Sequence, residues 1–115
     1  PFGNRNQGNI AAAEAQARAA QAQEAIVEAD YRLEFERTLT LYRSAETRVE
    51  TLSRASLPQA EEALRLVEIG YRNGRFPLIE VLAAAEARDA IRENLIQAEE
   101  TRGVLAARLI WLTAE

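Results

Sequence analysis

The sequence predicts an all-α protein built as a long antiparallel helical hairpin, coiled-coil-like in its packing, and three observations carry that prediction. Helix breakers are confined: Asn9 to Ile69 holds no glycine and one proline, Pro58, and Leu78 to Thr113 holds no proline and one glycine, Gly103. Between those stretches lies Gly70-Tyr71-Arg72-Asn73-Gly74-Arg75-Phe76-Pro77, the one place where the helical pattern must stop. Alanine makes up about a fifth of the chain, and glutamate, glutamine and arginine fill most polar positions, a composition typical of long helices.

Residues 1–8 (PFGNRNQG) read as a polar, turn-rich lead-in segment following a strand outside the chain, with Asn9 as a plausible N-cap for a helix over 9–69. Ala11 to Ala29 has alanine at nearly every second or third position, so helix propensity is high. Its small side chains let neighbouring helices approach closely; a simply solvated helix is the alternative. From Tyr31 the apolar residues grow larger, through Leu33, Phe35, Leu39, Tyr42, Ala45, Val49 and Leu52, the last four at coiled-coil spacing. Glu14/Arg18, Glu28/Arg32, Glu50/Arg54 and Glu61/Arg65 stand four apart with the acid first, the favourable order on an exposed helix face.

Ser56-Leu57-Pro58 interrupts this pattern, because proline lacks a backbone donor and clashes with the carbonyl four residues earlier. Either a new helix begins there with Ser56 as cap, or one helix continues with a kink. Val49 and Leu52 before the proline and Ala63 and Val67 after it look in phase, which favours the kinked continuous helix.

The return helix, 78–115, carries a stripe of Leu78, Leu82, Ala85, Ile91, Leu95, Ala98, Leu105, Leu109 and Leu112, broken by Arg102. Gly103 costs about 1 kcal/mol against alanine inside a helix, which reads as close approach of another helix or as a chance glycine. Leu109, Ile110 and Trp111 form an apolar cluster that reads as core against a partner. At 1.5 Å per residue the arms would be about 90 and about 54 Å long, so part of the alanine-rich arm is expected to need a neighbour. Starting at Pro1-Phe2 and ending at Glu115 inside a helical pattern, the chain is expected to be a piece of something longer.

Several classes of chemistry lack their residues. The chain has no Cys, His, Met or Lys, and all fourteen basic residues are Arg. Thiolate chemistry and the usual zinc and copper ligands are absent, no nucleophile and base pair can be assembled, and no cofactor is expected. The Gly70 to Gly74 pair lacks the Lys-Ser/Thr of a phosphate loop. An enzyme is not expected. A net charge of −4 with Arg alternating with Glu argues against nucleic acid, and no apolar run approaches the roughly eighteen residues of a membrane-spanning helix.

At the tip, Gly70 and Gly74 suit left-handed turn conformations and Pro77 the first turn of the next helix. Turn geometry does not account for Tyr71, Arg72, Arg75 and Phe76. These place two aromatic rings and two guanidinium groups where protein contacts are usually anchored.

Three stretches resemble a known family: PFGNRNQGNIAAAEAQ, LPQAEEALRLVEIGYRNG and LIEVLAAAEARD, in that order. Together they are similar to the C-terminal repeat of TolC-like outer membrane efflux proteins (outer membrane factors), closest to the heavy-metal CzcC/CusC-like branch. The resemblance implies a homotrimeric duct of Gram-negative bacteria. Its α-barrel crosses the periplasm, its membrane contact is made only through a β-barrel outside this chain, and it receives substrate from an RND-type inner-membrane pump and a periplasmic adaptor protein. It implies that Gly70, Tyr71, Arg72, Gly74, Arg75 and Phe76 form the periplasmic tip where the adaptor docks, and that Tyr71 and Glu80 line the aperture. Ala83 stands where the family has a second acid, and Phe76 where it has a gate arginine, with Arg75 nearby. The competing readings are an adaptor (membrane fusion protein) hairpin, against which the unequal arms count, and a stand-alone coiled-coil interaction scaffold.

Overall fold

A computed structural model describes residues 2–114, so Pro1 of the lead-in and Glu115 of the return helix lie outside the described residues. The described residues are almost entirely helical: α1 spans Phe2–Thr51, a π-helical segment Leu52–Ser56, α2 Leu57–Arg72 and α3 Leu78–Thr113. The chain divides into two compact units, one ending at Arg37 and one starting at Thr38.

In the first unit the helix is already formed at Phe2, so residues 2–8 of the turn-rich start are helical and Asn9 lies inside the helix. Each glycine or asparagine costs a helix only about 1 kcal/mol, and no proline intervenes before Pro58. Residues 3–33 are exposed, including Ile10, Ile26, Val27, Tyr31 and Leu33, so Leu33 is not part of a buried seam.

The second unit is the antiparallel hairpin. Its seam on α1 comprises Thr38, Tyr42, Ala45 and Val49, all buried or half-buried, in alternating steps of four and three. On α3 the facing seam runs Ala84, Arg88, Ile91, Leu95, Ala98, Arg102, Leu105, Leu109 and Leu112, again in strict steps of four and three. Leu78 and Leu82, expected on that stripe, are exposed, and Arg88 and Arg102 occupy seam positions instead. Arg88 does so by folding its guanidinium onto Asp89, at 2.9 and 3.1 Å, so its stem packs while its charge is met.

Helix α1 passes into α2 through the π-helical segment without a break, and the phase is not preserved. Beyond Pro58 the inward positions are Ala60, Leu64 and Val67, whereas Ala63 is exposed. Ion pairs follow the faces. Glu50 meets Arg54 at 3.8 Å as expected, but Arg65 turns to Glu62 at 2.6 Å, and Glu61 reaches across to Arg92 of α3 at 4.0 Å. The Arg65 hydrogen bond lowers the pKa of Glu62, so that small contribution is present above the ordinary glutamate range and lost as pH falls through the lowered value. Tyr42 is shifted upward, first by its hydrogen bond to Glu46 and then by that carboxylate's charge, with Arg102 of α3 opposing. Its contribution therefore holds below the ordinary phenol range and is lost as pH rises through the raised value.

Candidate functional site: the hairpin tip

The turn between α2 and α3 is shorter than the octapeptide. Helix α2 continues through Gly70 to Arg72, with Asn73 as its C-cap. Arg75 N–H donates to the Gly70 carbonyl at 2.7 Å and Gly74 N–H to the Tyr71 carbonyl at 3.0 Å. This pair of six-to-one and five-to-two bonds is a Schellman motif with Gly74 as the left-handed residue, φ 73°. Only one of the two glycines therefore serves the role foreseen for both. Replacing Gly74 by alanine puts a Cβ into the left-handed region and is expected to cost about 1–2 kcal/mol, to be read as a lowered unfolding midpoint.

Gly70 is helical and buried for a different reason. The ring of Phe76 lies across it, so closely that a Cβ on Gly70 would come within 2.5 Å of the ring's Cε2. The chain thus folds an aromatic back onto the last turn of α2, from one residue beyond the position whose hydrophobic contact commonly accompanies this cap. Phe76, taken from sequence as surplus to the turn, is half of what shapes it. Its other face is open, since the residue remains 44% exposed. Pro77, with φ −72° and ψ 160°, sits at the N-cap of α3 rather than inside its first turn.

The rest of the predicted site is solvent-facing. Every residue from Tyr71 to Glu80 is exposed, and Tyr71 is 44% accessible. Arg72 leans on Glu68 at 3.9 Å. Glu80 lies in the first turn of α3, where a carboxylate suits the positive end of the helix dipole, and its N–H donates to the Pro77 carbonyl at 3.1 Å. The tip therefore displays two rings, two guanidinium groups and one carboxylate on a hydrogen-bonded frame.

Elsewhere the hairpin offers little chemistry. An open groove of about 450 Å³ between Leu41, Ala45 and Arg48 on α1 and Gln97, Ala98 and Leu105 on α3 is mostly apolar. Among the described residues no acidic cluster could hold a metal ion, and no helix is long and apolar enough to cross a membrane.

The described residues of the second unit thus form an all-helical hairpin whose turn holds its side chains in solvent. The outer membrane efflux protein family model matches residues 1–114, so the chain belongs to the outer membrane efflux protein family. That is a transport family, not an enzyme family; its members are outer-membrane proteins of Gram-negative bacteria that form trimers and work with adaptors and RND pumps. No curated protein and no solved structure matches the chain.

Proposed function

We propose that this chain is the periplasmic helical hairpin of a trimeric outer-membrane efflux duct, and that its tip docks an adaptor which couples the duct to an RND-type pump. The observation that carries this reading is the conjunction of the family match over 1–114 with a tip whose aromatic and arginine side chains are all exposed. Gly70, Gly74 and Phe76 shape the docking surface, and Tyr71, Arg72 and Arg75 make its contacts. Tyr71 and Glu80 face the aperture, with Ala83 one turn on contributing no second carboxylate. Exposed residues 3–33 of the first unit, rich in alanine, suit close packing against neighbouring helices of the barrel. The similarity of the three sequence stretches to the CzcC/CusC-like branch makes heavy-metal ions the substrate class to test first. Family membership favours the duct over an adaptor hairpin or a free scaffold.

The test is made in the full-length protein. Tyr71→Ala and Glu80→Gln, separately and together, are expected to raise single-channel conductance in planar bilayers and to change its response to cations, because a ring and a charge leave the aperture. Unchanged conductance in all three variants would remove both residues from the pore.

A further inference from the structure

The phase of the two arms around Pro58 has a consequence for how the tip is aimed. Thr38, Tyr42, Ala45, Val49, Leu52 and Ser56 follow the four-and-three repeat and are all buried or half-buried. Continued past Ser56, that repeat selects Gln59, Ala63 and Leu66, and all three are exposed; Leu66 is 53% accessible. The residues that turn inward are Ala60, Leu64 and Val67, each one position later, and Leu64 is only 7% accessible. A surplus of one residue has therefore entered between the two seams. It is absorbed in Leu52–Ser56, where the helix widens to π geometry and Leu57 N–H donates to the Leu52 carbonyl five residues back.

One residue of α-helix is about 100° of rotation. Without the wide turn, α2 would present Ala63 and Leu66 to α3 and carry Tyr71 and Arg72 to a different side of the hairpin. Pro58 stands directly after the wide turn. It has no N–H with which to bond Arg54 in α-helical fashion, and its ring clashes with that carbonyl in a regular helix. A return of the segment to α geometry therefore gains nothing at this position.

We propose that Leu52–Ser56 is a phase-correcting joint, one surplus residue wound into the helix and held there by Pro58, which sets the direction in which the tip faces. It is a property of the hairpin, whatever the tip docks to. It makes an unusual demand, that one residue inside a helix of the second unit be dispensable. The α3 seam, strictly periodic from Ala84 to Leu112, has no such spare residue.

The experiment uses the full-length protein in a cysteine-free background with Arg48→Cys and Gln97→Cys, positions that line one groove from the α1 and α3 sides and lie beyond both deletions from the tip, bridged by a short bis-maleimide. Deleting Ser53 together with Pro58→Ala removes the surplus residue and the element that holds it. Cross-linking yield is expected to stay within about twofold of the parent, whereas deletion of Glu93 from α3 is expected to lower it by about tenfold or more, because every later seam residue rotates away. The proposal is overturned if the Ser53 deletion loses cross-linking as the Glu93 deletion does, if it fails to accumulate as folded protein, or if the Glu93 deletion retains the parent yield.

Discussion

Gly70→Ala is expected to destabilise the hairpin by about 1–2 kcal/mol, although alanine is the better helix former by about 1 kcal/mol. Gly70 lies within α2, and a change at an exposed helical glycine would be stabilising. Here the added methyl meets the Phe76 ring, which must leave its seat or push the turn away. Displacing the ring exposes its packed face and removes the contact that seals the Schellman cap. In a Phe76→Ala background the obstacle is gone and the same substitution should become neutral or stabilising. Denaturant unfolding of the four species closes a double-mutant cycle with an expected coupling of about 1–3 kcal/mol. Additive effects would mean that the ring does not rest on Gly70 in solution.

The second large effect belongs to the seam. Leu64→Ala is expected to cost about 2–3 kcal/mol, at the low end for buried leucine because a two-helix hairpin lets neighbours collapse into the space. Leu66→Ala, two residues away, is expected to change stability by less than about 0.5 kcal/mol in the hairpin itself. Equal costs at the two positions, measured as shifts in the unfolding midpoint, would contradict the inward phase of Ala60, Leu64 and Val67. The contrast matters for function because Leu64 and Tyr71 share one rigid helix, so whatever fixes the azimuth of one fixes that of the other.

Much of this was legible beforehand, for reasons that can be named. The confinement of glycine and proline located the hairpin and its turn, because those residues act locally whatever surrounds them. On α3 the large apolar side chains from Ile91 to Leu112 marked the seam, but Arg88 and Arg102 hid its regularity. A charged residue at a packed position reads as a break until its stem is seen to pack and its head to find Asp89. The start of α1 was misplaced because Gly3, Gly8 and Asn9 look like a cap, yet each is only mildly unfavourable within a helix. The phase across Pro58 was misread since Ala63 and Leu64 are both apolar, and apolarity alone cannot choose between adjacent residues. Gly70 and Gly74 look alike in sequence. What separates them is a ring six residues after the first, a contact that no local rule predicts.

The central claim, that the tip is where a partner docks, is tested most directly by site-specific photo-cross-linking in the full-length protein. A photoreactive residue is placed in turn at Tyr71, at Arg75 and, as a reference, at Val104, which is exposed on α3 away from the turn. With the adaptor and pump present, adducts to the adaptor are expected from Tyr71 and Arg75 and not from Val104. Adducts from Val104 with none from either tip position would contradict the account.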